Sequence, residues 1–421
     1  MDKPIINSLL DTDKYKLTMC QIVHDLHPNT HVEYTFNNRT TSIPLAKYID
    51  VDELKEHIKH IQSLRFSYDE LTYLKTQPEF KPEFINFLST MNHNLEVELD
   101  TNVFDYQIRL SFKGKWDTAI LYETLFLSLI NEMFGRNILK VLSSDIKKFL
   151  INDSFAKLRY KLNEIKIINN FLFHPKDSST GVIKFIEFGT RRRHSLTHQR
   201  MVINECLKTA KDNFEGTSNY MLAKEFDIKA IGTQAHEWIM VRASLDSAGR
   251  FDIDRDTQKK SINAWLNYYG KPLSIILTDT FGTKSFLQDF DKDLSNECIG
   301  VRQDSGDPIT FGYAMINHYK RYGINPKDKT IVFSDGLDVN TIIKLYKEFG
   351  DKINVAFGWG TNLTNDVGIV PLSIVIKATE ANGYPTVKLS DNICKATGER
   401  SLINMYIKTF KPEQTNVETV Y

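Results

Sequence analysis

The sequence predicts an α/β protein: an irregular α/β barrel with an N-terminal α+β domain. Three observations lead there. Four apolar, strand-like segments each run into a short polar turn and then an amphipathic helix pattern, the rhythm of a parallel sheet. The first third instead groups strands with strands and helices with helices. The length, 421 residues, suits a large barrel with an appended domain. The predicted division gives residues 1–140, joined by 377–421, to the α+β domain and 141–376 to the barrel.

In chain order, residues 30–36 alternate apolar and polar like a half-buried strand. Residues 45–65, 68–76 and 82–90 read as helices rich in Lys, Glu and aromatics. Residues 95–99 and 106–112 alternate again, with Asp100-Thr101-Asn102 as the turn between them. Ala119 to Phe134 is the most apolar stretch. It holds Glu123, Asn131 and Glu132 and is too short to cross a bilayer, so it reads as a core helix. A lysine-rich helix covers 142–165. The strand–turn–helix rhythm then begins, with strands at 182–186, 273–277, 299–301 and 330–333. Shorter strands fit 213–215, 229–231, 353–357 and 372–378. Seven or eight such strands favour a closed barrel. Residues 386–390 are a further strand candidate, expected to return to the first domain.

Lys+Arg and Asp+Glu both number 53, so the formal net charge is zero. That balance argues against broad nucleic-acid or acidic-membrane binding. Cys20, Cys206, Cys298 and Cys394 contain no Cys-x-x-Cys pair, which points to four buried, reduced thiols in a cytoplasmic protein. The N-terminus lacks the basic-then-apolar build of a signal peptide.

The chemistry sits in the turns. Glu187-Phe188-Gly189-Thr190-Arg191-Arg192-Arg193 puts an aromatic ring beside planar cations that grip carboxylate or phosphate through two bonds; a solvated basic turn leading into a helix at 191–208 is the competing reading. Gly216-Thr217-Ser218-Asn219 opens a helix with exposed N–H groups and two hydroxyls, a setting for an anion or an ordinary cap. Gly232-Thr233-Gln234-Ala235-His236-Glu237-Trp238 places His236 at a helix start, where a neutral, nucleophilic imidazole is favoured; a helix-capping histidine is the alternative. Asp279 and Asp335 directly follow strands, and Asp304 lies within Arg302-Gln303-Asp304-Ser305-Gly306-Asp307-Pro308. Carboxylates there can take ribose hydroxyls, orient a histidine or hold Mg²⁺ through water. Phe357-Gly358-Trp359-Gly360-Thr361 is a late glycine-rich turn of the kind that cradles a phosphate.

Taken in order from residue 8 to about 391, these motifs resemble those of nicotinate phosphoribosyltransferases. Leu9-Leu10-Asp11-Thr12-Asp13-Lys14-Tyr15-Lys16 and Ile374-Val375-Ile376-Lys377 belong to the same resemblance. It implies synthesis of nicotinate mononucleotide and pyrophosphate from nicotinate and phosphoribosyl pyrophosphate, the first step of NAD salvage from nicotinate. It also implies a ligase-type coupling to ATP hydrolysis through a phosphohistidine at His236, with Mg²⁺ whose ligands stay open. A homodimer with shared sites is implied, in which Tyr15 of the partner faces one side of the pyridine and Phe188 the other. By the same resemblance Arg191, helped by Ser218, takes the nicotinate carboxylate, and Asp279 orients His236. Arg302 and Asp304 hold the sugar and its phosphates. Asp335, Gly336, Gly358, Gly360 and Thr361 grip the ribose and 5′-phosphate. Trp359 is bulkier than the family's usual residue, and the chain after Asp391 matches poorly.

A neutral hydroxyl at Ser218 admits an acid where a carboxylate would favour an amide, so nicotinate is expected over nicotinamide. The alternatives are a nicotinamide or a quinolinate phosphoribosyltransferase, the latter using Arg192 or Arg193 for the second carboxylate. A barrel aldolase would want a lysine at a strand end as a Schiff base, and Lys184 sits mid-strand. A non-enzymatic sugar-phosphate binder would release no pyrophosphate.

Overall fold

The computed structural model describes residues 3–102, 104–172, 182–248 and 252–415; of the C-terminal stretch expected to join the first domain, 416–421 lie outside them. Eleven strands are described: β1 (His31–Asn38), β2 (Glu96–Thr101), β3 (Ile108–Lys115), β4 (Phe185–Glu187), β5 (Phe214–Thr217), β6 (Ile275–Leu277), β7 (Gly300–Gln303), β8 (Thr330–Phe333), β9 (Asn354–Trp359), β10 (Ile374–Ala381) and β11 (Tyr384–Pro385). They form two sheets. One is antiparallel, in the order β11-β10-β1-β3-β2, and the other is parallel, in the order β5-β4-β9-β8-β7-β6.

The antiparallel sheet follows from alternation. On β1, Val32, Tyr34 and Phe36 are buried while their neighbours face outward, as a period of two demands. Tyr34 stacks on Phe112 of β3 with ring centroids 4.9 Å apart. The strand expected at 372–378 belongs here and not in the barrel: β10 pairs with β1 from Val32↔Ala381 to Asn38↔Ile374. Local apolar pattern cannot tell which sheet a strand joins, because each offers a buried face.

The parallel sheet has short strands buried on both faces, as crossover connections require. Residues 229–231 do not form a full strand. They make one bridge, Thr217↔Ala230, beyond β5. At the far edge Thr233 Oγ1 donates to the Ile275 carbonyl on β6 (2.9 Å). One irregular segment thus spans the gap between β5 and β6, and the barrel closes through it rather than through a regular ladder.

The helices fall close to their predicted places. The predicted helix at 45–65 is a short 3₁₀ turn, Leu45–Lys47, followed by Val51–Ser63. The apolar stretch becomes the helix Tyr122–Lys140, buried on every side from Tyr122 to Gly135. Arg191 and Arg192 lie in a 3₁₀ turn, Thr190–Arg192, and the helix expected from 191 starts only at Leu196, capped by the Ser195 hydroxyl accepting from the His198 N–H (3.1 Å). Residues 386–390 make a single bridge, Lys388↔Thr397, and run across the barrel mouth. Cys20, Cys206 and Cys298 are buried as expected, but Cys394 is exposed. Among the described residues no helix is long and apolar enough to cross a membrane.

Two buried features hold the site's supports. Trp238 lies between Trp116 and Trp265, with centroids 6.0 Å from each, and pins the helix that begins at His236. Next to it, Glu237 accepts from Lys16 Nζ (2.7 Å), Trp116 Nε1 (2.7 Å) and the Tyr34 hydroxyl. Lys16 also pairs with Glu123 (2.5 Å). Every partner of these buried charges is provided, as burial demands.

Candidate active site

At the C-terminal ends of the parallel strands lies a cavity of ≈ 290 Å³, covered on its other side by the antiparallel sheet and the N-terminal segment. Every site residue expected from the sequence lines it except Asp279, which sits just beneath. The convergence comes from topology: side chains spaced over more than 300 residues meet because each ends a strand at one rim.

At one end an aromatic slot is formed by Phe188 and Tyr15. Phe188 donates its N–H to the Trp359 carbonyl (2.9 Å), and its ring lies on the backbone of Gly358. A Cβ at Gly358 would approach that ring to 2.4 Å, so only glycine fits. Tyr15 belongs to the same chain. The segment before it is bound to this chain's own rim by an N–H of Lys14 donating to the Ser218 carbonyl (2.7 Å) and by the bridge Asp13↔Asn219. The partner's tyrosine is the one expected at this place; within the chain its own Tyr15 lines the cavity beside Phe188. Trp359 does not crowd the phosphate turn. Its side chain is buried, meets Phe185 edge-on at 5.6 Å and donates to Asn362 Oδ1 (3.2 Å), leaving Gly358 and Gly360 to face the cavity.

The three arginines separate. Arg191 reaches the cavity, 3.6 Å from Glu123 Oε1. Arg192 donates to the Ile374 carbonyl (3.3 Å). Arg193 is fully buried and donates to both oxygens of Asp11 (2.6 Å each). It is a structural strut out of reach of any substrate, which leaves Arg192 as the one of the two candidates for quinolinate's second carboxylate that lines the cavity. Opposite Arg191, Ser218 Oγ donates to Asp13 Oδ1 (2.6 Å). Both Asp13 and Ser218 line the cavity.

At the other end His236 is the first residue of its helix. Its Nδ1 lies 3.0 Å from Thr280 Oγ1 and its Nε2 2.9 Å from Asp304 Oδ2. Asp279 Oδ1 is 3.7 Å from Nε2. A carboxylate only accepts and a hydroxyl can donate, so the bonds assign Nε2–H to Asp304 and the Nδ1 lone pair to Thr280. Burial, with Lys388 nearby, draws the imidazole down to about 4 against the pull of both aspartates, so it is neutral near pH 7. Burial works against the charge on Asp304, yet the His236 bond and Arg302 hold it well below the usual carboxylate range. Asp279 Oδ2 accepts from Ser305 (2.6 Å) and Ser390 (3.2 Å), while Oδ1, fully buried, has no hydrogen-bond partner.

Sequence reasoning missed the cations contributed by the C-terminal third and the sheet. Lys395 Nζ donates to Asp335 Oδ1 (2.6 Å) and the Asp304 carbonyl (3.1 Å). Lys388 Nζ lies 3.5 Å from Asp279 Oδ2. Asp391 accepts from the Thr283 N–H (2.7 Å) and is raised to about 7 by burial and by Asp279. Its side chain packs over Gly306, where φ is +77° and a Cβ would lie 3.3 Å from that of Asp391. Lys377 and Arg39 also line the cavity. Burial lowers Lys377 to about 8 against the pull of Glu123. Only Lys377 lay in a motif singled out from sequence.

The donor set can serve a divalent cation. His236 Nε2 and one oxygen each of Asp279 and Asp304 lie within 4.8 Å of one another, and the orphaned Asp279 Oδ1 has capacity to spare. Asp304 lines the open cavity and Asp279 lies beneath it, so two carboxylate oxygens and space for water on one side fit Mg²⁺, which keeps several of its waters.

Family models agree with this geometry. Residues 183–414 match the nicotinate phosphoribosyltransferase family and residues 10–131 its N-terminal domain. A nicotinate phosphoribosyltransferase of Vibrio cholerae is 33% identical, with 99% of this chain and 96% of that chain covered and a TM-score of 0.85. One from Porphyromonas gingivalis is 28% identical, with 97% and 100% covered and a TM-score of 0.84. The chain belongs to the nicotinate phosphoribosyltransferase family and is an enzyme of that class.

Proposed function

We propose that this chain joins nicotinate to the ribose of phosphoribosyl pyrophosphate, releasing pyrophosphate, and drives the step with ATP through a phosphate carried on His236. The observation that carries the reading is one cavity holding an aromatic slot beside Arg191 at one end and His236 between Asp304 and Thr280 at the other.

In this reading the pyridine lies between Phe188 and Tyr15, with its carboxylate on Arg191. Its nitrogen forms a bond to the anomeric carbon as the carbon–oxygen bond to pyrophosphate breaks. Positive charge spreads over the ribose, so catalysis rests on placement and on neutralising the leaving group. Arg302, Lys388 and Lys395 supply positive charge near the phosphates. Asp304 and Asp335 accept ribose hydroxyls, and Gly358, Gly360 and Thr361 offer N–H groups and a hydroxyl to the 5′-phosphate. Mg²⁺ held by Asp279 and Asp304 would offset the pyrophosphate charge.

For the coupling step, Nδ1 of His236, which carries the lone pair, gives up its Thr280 bond and attacks the terminal phosphorus of ATP. The nitrogen–phosphorus bond forms, the bond to the ADP oxygen breaks, and the Nε2 proton passes to Asp304 at 2.9 Å. The phosphorylated ring reshapes the charge around the sugar site until hydrolysis resets it. The test is pyrophosphate release from nicotinate and phosphoribosyl pyrophosphate, with and without ATP. Release that ATP stimulates supports the reading, and no release with nicotinate removes it.

A further inference from the structure

The hydroxyl expected to meet the nicotinate carboxylate is already engaged. Ser218 Oγ gives its proton to Asp13 Oδ1 over 2.6 Å. It can therefore offer the cavity only lone pairs, which suit an amide N–H and repel a carboxylate. Asp13 itself lines the cavity, so an anionic ring would meet a second carboxylate beside Arg191.

Reversing one hydrogen bond removes the conflict. If Asp13 carries a proton, it donates to Ser218 Oγ, and the Ser218 proton becomes free to bond the incoming carboxylate. We propose that nicotinate binds together with one proton, taken from solvent by Asp13, and that this proton turns the Ser218 hydroxyl into a donor for the acid. The inference rests on the substrate reading above and deepens it: Asp13 becomes a specificity-determining residue.

The surroundings allow this. Asp13 is buried, and burial raises it above the usual carboxylate range despite the Ser218 bond. Arg191 and the Thr190 hydroxyl favour its charge; Glu123 and Glu187 on the packed elements disfavour it, and the Tyr15 hydroxyl nearby stays neutral. A bound anion adds a further repulsion, so the proton is held more tightly in the complex than in the free protein. By linkage, affinity is greatest at low pH and weakens as pH rises between the free and bound values of Asp13. Nicotinamide, uncharged and donating through its amide, needs no such proton.

Titration calorimetry of the full chain, in several buffers of differing ionisation heat between about pH 6 and 8, reads the proton count directly. Wild type is expected to take up close to one proton per nicotinate, with affinity falling toward ~10-fold per pH unit where uptake is complete. It should take up none with nicotinamide, a comparison that needs no variant. Asp13→Asn, whose amide donates to Ser218 permanently, should bind nicotinate without uptake and with a flat pH dependence. Nicotinate binding to wild type with no uptake overturns the proposal. So does uptake that survives Asp13→Asn and vanishes in Lys377→Met, which would move the proton to Lys377. Failure of nicotinate to bind at all would overturn the substrate reading first, and this inference with it.

Discussion

The cavity has two walls of different origin. The barrel wall comes from strand ends: Phe188 and Arg191 after β4, Ser218 after β5, Arg302 and Asp304 at the end of β7, Asp335 after β8 and Gly358 on β9. The facing wall comes from the chain's two ends: Asp13 and Tyr15, Arg39 beyond β1, Glu123 in a core helix, Lys377 on β10, and Lys388 and Lys395 in the crossing segment. The barrel wall carries the neutral histidine, the carboxylates and the glycine turn. The facing wall brings most of the added lysines and fixes how charged each group is. It teaches that a barrel rim supplies reacting groups while an appended sheet tunes and covers them.

The largest effect that would break this division is on the barrel wall. His236→Ala should take up no acid-labile phosphate from labelled ATP and lose the ATP-stimulated rate on the order of 10²-fold or more. A variant that keeps its ATP stimulation would move the phosphoryl step elsewhere. Neighbouring arginines sharpen the point next. Arg193→Leu strands a buried Asp11 and should cost about 3–5 kcal/mol of stability, read as a lowered Tm. Arg191→Leu should leave Tm nearly unchanged and weaken nicotinate by about 1.5–3 kcal/mol, roughly 10–100-fold in KM. Equal phenotypes for the two would contradict the separation of strut from ligand.

On the facing wall, Lys395→Met frees Asp335 and should raise KM for phosphoribosyl pyrophosphate by about 10-fold, a loss in the range of a charge-assisted bond, with KM for nicotinate steady. If both rise together, the crossing segment positions the whole site rather than its sugar end. A last test, of the whole fold rather than of either wall, is stability against pH. His27, His93, His194, His198 and His236 are all lowered to about 4, each first by burial. The unfolded chain binds protons at these rings near pH 6.5 and the folded one does not. Their contribution is therefore present above about pH 6.5 and lost as pH falls toward 4. Tm should decline across that window, and a flat Tm would mean that these rings are not held neutral.

Much of the site was legible because it obeys a local rule. A short apolar run, a polar turn and a helix cap reveal a strand end wherever they occur, so Asp304 and His236 were found without any partner in view. The facing wall obeys no such rule. Lys388 and Lys395 lie in irregular chain, and Glu123 looks like one more residue of an apolar helix. Which arginine of three meets substrate was equally invisible, since their sequence context is shared and only Asp11, 182 positions away, claims Arg193.

The sequence by itself determined the α/β class, the order of the polar turns and the chemistry they hold, because backbone periodicity and turn residues act over a few positions. The tertiary structure alone decided that β10 leaves the barrel for the sheet, that Tyr15 comes to line the cavity, and that Ser218 gives its proton to Asp13. Those outcomes depend on which distant groups meet across a dry interior, where each buried charge or hydroxyl must find a partner and local pattern cannot say which.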